Sequence, residues 1–248
     1  MFRTPGLLLC GLLSLGVARG QDADAEAVVK RAIDAAGGSE TLKKFPAGRL
    51  SATGTLFPDD KTRIPVTTEQ VLHMPGRSRI AIKIEAMGQT LNVMHVVNAD
   101  KARYTINGSP VPITEAARQE LIAAMTTLEV GQLLPLLGDR KFTLKVEKGG
   151  KFETDTVSVF VTARPGGDFR LGFDRTTGHL VRLTRRAYDA ATGKTADQEQ
   201  LFSDFKNFEG IVRPTKVVVL QDGKKTLELI AQKYTPLTTV DAKEFATE

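Results

Sequence analysis

From Arg49 onward the chain is cut into short alternating segments separated by turn dipeptides, and that punctuation leaves few folds open to it. Leu50, Ala52, Gly54 and Leu56 alternate with Ser51, Thr53 and Thr55, the period-two pattern of a strand with one buried face. Pro58-Asp59-Asp60 marks a turn, 62–74 is β-prone, and Pro75-Gly76 turns again. Ile80, Ile82 and Ile84 then alternate with Arg79, Ala81 and Lys83. After Met87-Gly88 the segment 91–98 reads as the returning strand, and 103–106 ends at the hairpin dipeptide Asn107-Gly108. In the last third, 142–146, 156–163, 169–173, 180–186, 198–205, 214–220 and 226–234 are strand-like. Turn signals between them fall at Thr177-Gly178, Thr192-Gly193, Glu209-Gly210 and Asp222-Gly223. The connections are short, so sequence neighbours are expected to pair antiparallel in one domain.

Two regions break this period. Ala25, Val28, Val29, Ala32, Ile33 and Ala36 recur at helical spacing, and Gly37-Gly38 supplies a stop. A short helical turn with Ser39 as its cap is expected behind it. The segment 113–137 shows no alternation and is rich in Leu, Ala, Met and Glu. Thr114 caps a helix expected to run through Met125, with Leu121, Ile122 and Met125 on one side. The aliphatic piece 128–137 follows, and Gly131 and Pro135 keep it from continuing as one straight helix.

The first 20 residues read as an export signal. Arg3 gives a positive start, 7–17 is apolar, and Ala18 and Gly20 stand at the positions of a small-residue cleavage site. The expected mature domain is therefore 21–248, in the periplasm. The apolar stretch falls short of the roughly 20 residues that a membrane-spanning helix needs. Leu9 before Cys10 does not fit a lipoprotein signal. Cleavage would remove the only cysteine, excluding disulfides, cysteine catalysis and thiolate metal sites. It would also remove Arg3 and Arg19, lowering the formal charge from +5 to +3. That small excess, with no Trp and three Tyr, does not point to nucleic acid.

Catalytic and metal motifs are missing. His73, His95 and His179 have no paired spacing. Met74 and Met94 beside two of them suit copper chemically, but isolated sheet histidines explain the pattern better. Asp59-Asp60 and Asp22, Asp24 and Glu26 read as a turn and a helix start. The Gly-Gly pairs at 37–38, 149–150 and 166–167 read as turns, since no phosphate-loop motif accompanies them. Arg182, Arg185 and Arg186 make a small basic cluster that could meet a lipid head group, though a solvated strand edge explains it better. No enzyme, cofactor or metal ion is expected.

Three phrases carry a family resemblance: the run 172–181, beginning Gly172-Phe173-Asp174-Arg175 and ending at Leu180-Val181; Phe202-Ser203-Asp204-Phe205-Lys206; and the run 208–214 from Phe208 to Pro214. Together with the opening helix that ends at Gly37-Gly38, they make the chain resemble the outer-membrane lipoprotein carrier and lipoprotein-sorting (LolA-like) superfamily. The resemblance covers nearly all of the mature chain, in layout and turn phrases. It implies a mainly β (α+β) fold: a strongly curved antiparallel sheet, an incomplete barrel, with helices covering its concave face. It also implies a lid at 114–137 and a guest that is an acyl chain, a lipid or a lipoprotein, taken from or passed to a membrane-associated hand-over partner. The lining expected on that basis is Ile80, Ile82, Ile84, Leu91 and Val93 from the first strands. To these are added Leu121, Ile122, Met125, Leu128, Leu133, Leu134 and Leu137 from the lid segment, and Val159, Val161, Leu171 and Phe173 from the later strands. The expected protein is a monomer. The rival reading is a regulatory or scaffold module of the same fold that meets a protein partner.

Overall fold

The computed structural model describes residues 22–147, 155–164, 166–189 and 192–247. The expected signal segment 1–20 with Cys10, and the glycine pair 149–150, lie outside the described residues.

Helix α1 (Ala23–Ala35) begins where Asp22 accepts hydrogen bonds from the N–H groups of Asp24 and Ala25, at 3.0 and 3.3 Å. Its buried stripe is Ala25, Val29, Ala32 and Ile33, the spacing of one helical face. The helix stops at Gly37, whose φ of +119° is open to glycine alone. A Cβ there would stand 2.1 Å from the carbonyl oxygen of Gly210, so the helix end is pressed against the sheet. α2 (Ser39–Lys44) follows at once. Its cap position is held by Gly38 without any side-chain bond, because the backbone has already left the helical path at φ +82°. Ser39 is thus the first helical residue and not the cap expected from sequence.

The strands are β1 (Ala47–Leu56), β2 (Ile64–His73), β3 (Arg77–Ala86), β4 (Gln89–Asn98), β5 (Lys101–Ile106) and β6 (Ser109–Pro110). After α3 (Glu115–Gly131) and α4 (Leu134–Gly138) come β7 (Phe142–Val146), β8 (Thr156–Ala163), β9 (Gly167–Asp174) and β10 (Leu180–Asp189). β11 (Lys194–Phe208), β12 (Ile211–Gln221) and β13 (Lys224–Leu237) complete the set. They form one antiparallel sheet in the order β6-β5-β4-β3-β2-β1-β13-β12-β11-β10-β9-β8-β7. The sheet is curved but does not close into a barrel, and helices cover its concave face.

Sequence neighbours pair within β1–β6 and within β7–β13, and the chain's two halves meet where β1 runs against β13, from Ala47–Leu237 to Leu56–Leu227. β6 and β7 therefore lie at opposite edges, and α3 and α4 are the stretch of chain between them.

The main core joins α1, α2 and α4 to β7–β10, with Val29, Ile33, Leu136, Phe142, Val159, Phe169 and Leu171 sealed inside it. A second, small cluster lies on the convex face. The last turn, Ala242–Phe245, folds back so that Phe245 is buried against Val71 and Val96. Glu244 beside it receives Arg49 at 2.7 Å and Arg79 at 3.3 Å. Among the described residues no helix is long and apolar enough to cross a membrane.

Candidate functional site

Directly paired residues in an antiparallel ladder point to the same side of the sheet. Ile84 pairs with both Leu91 and Val66, and the row continues through Gly54, Leu229 and Val217 to Phe202. A second row runs Ile106, Val93, Ile82, Thr68 and Ala52, and a third Tyr104, His95, Ile80, Gln70, Leu50 and Tyr234. Gln200, on the same side as Phe202, pairs with Val219 and Leu183 and so carries the face onto the other wing. There Leu183, Leu171 and Val159 form one row and Arg185, Phe169, Val161 and Leu144 another. Every strand residue expected from sequence to line the site, Phe173 included, lies on this helix-covered face.

The two wings are covered differently. Val159, Val161, Leu171 and Phe173 are fully buried beneath α1 and α4. Leu133, Leu134 and Leu137 pack into the same cluster. On the β1–β5 wing, Ile80, Ile82 and Ile84 are only half-buried, and Leu91 is 38% exposed. Leu50, Leu227, Leu229, Val217 and Val219 are likewise half-buried. An apolar surface continuous with the core thus stays partly open where α3 alone spans it.

α3 reaches β4 and β5 on one wing and β10 on the other. Thr114 caps it, accepting the N–H of Ala117 at 3.2 Å. The helix runs beyond Met125, its expected end, to Gly131. Thr126 and Thr127 do not break it, because their hydroxyls bond back to the carbonyls of Ile122 and Ala123. The break comes at Leu133, with φ +65°. Along the helix Met125 is buried, while Leu121, Ile122 and Leu128 are half-buried.

Polar anchors that the sequence did not reveal hold this helix in place. The Glu120 carboxylate accepts from the Arg185 guanidinium and from the Tyr188 backbone N–H at 2.8 Å. Glu129, its side chain 4% exposed, accepts from the Gly76 N–H at 2.8 Å and from Lys141. The Arg118 guanidinium donates to the Asp100 carbonyl at 2.6 Å. The β2–β3 turn, the β4–β5 turn, β10 and the approach to β7 are therefore all tied to one helix.

Arg185 overturns the reading of residues 182, 185 and 186 as a solvated edge. β10 is an interior strand, the Arg185 side chain is 6% exposed, and it also donates to Gln198 at 3.1 Å. Arg182 pairs with Glu199, and only Arg186 of the three is exposed.

The histidines stay apart. His95 stacks on Tyr104 at 5.0 Å, and burial holds its imidazole below the ordinary value. His179 stacks on Phe205 at 4.2 Å, and His73 meets Phe245 edge-on. Among the described residues no three His, Cys, Asp or Glu side chains gather in a way that could hold a metal ion.

No protein-family model matches this sequence. No curated protein matches it either. Solved structures do match over nearly their full length. A LolA superfamily protein from Nitrosomonas europaea has 11% identity and a TM-score of 0.56, covering 90% of this chain and 97% of its own. A DUF1329 family protein from Desulfovibrio piger has 9% identity and a TM-score of 0.56 over the same shares. A putative outer membrane lipoprotein-sorting protein domain from Vibrio parahaemolyticus has 10% identity and a TM-score of 0.52, covering 89% and 97%. The chain shares the LolA-like fold with these proteins.

Proposed function

We propose that this chain is an exported envelope protein that binds an acyl chain, lipid or lipoprotein between the concave sheet face and α3, in a carrier or sorting role. One observation supports the reading above others: Ile80, Ile82, Ile84 and Leu91 extend the core's apolar face into a region that the protein's own helices leave half open. Apolar surface left in contact with water on a concave face is favourable ground for an apolar guest. Each buried CH₂ contributes about 0.8 kcal/mol, so one long acyl chain reaches micromolar affinity without a catalytic or charged group. The periplasm, with cleavage near Gly20 and Gln21, is the location that the export pattern at 1–20 supports. A monomer taking its guest from a membrane-associated partner fits a site enclosed within one chain.

Native mass spectrometry of protein extracted from the envelope without detergent tests this directly. The expected result is a bound lipid or lipoprotein mass, together with displacement of a hydrophobic dye by long-chain lipids. No lipid in repeated preparations and no displacement would sink the reading. Envelope crosslinking that returned a single protein and no lipid would favour a regulatory module instead.

A further inference from the structure

The concave face carries two interior-facing arginines, and they are satisfied differently. Arg185 has Glu120 and Gln198. Arg213 lies on the same face of β12, two residues from the core residue Ile211 and level with Lys206 of β11. Its guanidinium stacks over the Tyr234 ring at 4.7 Å and donates to the side-chain oxygen of Gln132, which caps the C-terminal end of α3. Its Nε is sealed from solvent with no acceptor, and no carboxylate among the described residues reaches the group. A guanidinium carries five donors in a fixed fork suited to a carboxylate or phosphate. Holding that charge half-buried without an anion is costly, and a neutral amide oxygen offsets little of the cost.

The surroundings are those of an amphiphile's polar end. From Tyr234 the row runs to Leu50, Gln70 and Ile80. Tyr234 and Gln70 bring a phenol hydroxyl and a side-chain amide to that row. Apolar surface therefore leads away from Arg213, with neutral hydrogen-bonding groups beside it. We infer that Arg213 binds the anionic group of an amphiphilic guest, a phosphate or carboxylate joined to an acyl chain, whose oxygen takes the place of the Gln132 amide oxygen. This rests on the proposed function and narrows it from lipids in general to anionic ones.

The test is dye displacement by three ligands of equal chain length: palmitate, palmitoyl lysophosphatidylglycerol and the neutral monopalmitoylglycerol. The unsubstituted protein should bind at least one anionic ligand about tenfold more tightly than the neutral one, the scale of one charge-assisted hydrogen bond. Arg213→Gln should abolish that preference, whereas Arg213→Lys should keep part of it. Which anionic ligand is preferred identifies a phosphate or a carboxylate as the natural group. Equal affinity for all three ligands in the unsubstituted protein would overturn the inference while leaving acyl-chain binding intact. So would an equal loss for the neutral ligand in Arg213→Gln. Failure of all three ligands to displace the dye would overturn the proposed function, and the inference with it. The comparison in the unsubstituted protein stands even if the variants fold poorly.

Discussion

Glu129 ties three parts of the molecule at one carboxylate: α3, the turn at Gly76 and the approach to β7 at Lys141. Glu129→Ala would leave the Gly76 N–H and the Lys141 ammonium without their acceptor. Lys141 is 25% exposed and can turn to water, which keeps the loss below that of a fully enclosed ion pair. A destabilisation of about 2–3 kcal/mol is expected, read from urea unfolding. The histidines act at the same scale through protons. Burial lowers the folded-state values of His73, His95 and His179 from 6.5, with Arg77 adding to the effect at His73 and Asp174 opposing it at His179. The unfolded chain then binds more protons just below 6.5. The stabilisation is therefore complete above 6.5 and is lost as pH falls through the folded-state values. The urea midpoint should drop between about one pH unit above 6.5 and one below, and His95→Gln should lessen the drop. An unchanged midpoint in the unsubstituted protein would contradict this.

At the scale of elements, the wings should answer truncation differently. Leu171→Ala empties a sealed position in β9 and should cost about 3–4 kcal/mol. Ile82→Ala, on the half-buried β3, should cost about 1 kcal/mol yet weaken lipid binding several-fold. The dissociation this expects is tested by urea unfolding alongside dye displacement; equal stability losses would remove the contrast between wings. The strands themselves were legible because the period-two pattern is local: Ile80, Ile82 and Ile84 announce β3 without help from elsewhere. α3 was only partly legible, since Thr126 and Thr127 weaken its helical signal and hold it through bonds to their own backbone. The partners of its glutamates were not legible at all. Glu120 and Arg185 lie 65 residues apart, and no spacing rule joins them. The face that could take a guest was readable strand by strand, but its division into a sealed and an open wing depends on where α1 and α4 come to rest.

The whole molecule is organised by one long-range pairing, β1 with β13, which no short motif foretells. Around that seam, β8–β10 sit under the packed helices, whereas β3–β5 have mainly α3 and the C-terminal turn. Amide exchange should therefore be slowest in β8–β10, and added lipid should slow it in α3, β3 and β4 with little change in β8 and β9. Uniform slowing across the sheet would mean that the guest acts by general stabilisation and not at the open wing. The course of α3 between the two edge strands has a mechanical consequence. α3, continued by α4, is strung from β6 to β7 as a cord is strung across a bow, and the sheet is the limb. Under the proposed function, widening the gap beneath the cord and flattening the limb would become one movement, and a guest's thickness would be converted into curvature. The strain of loading would then be spread over the strands of the sheet instead of falling on a single hinge.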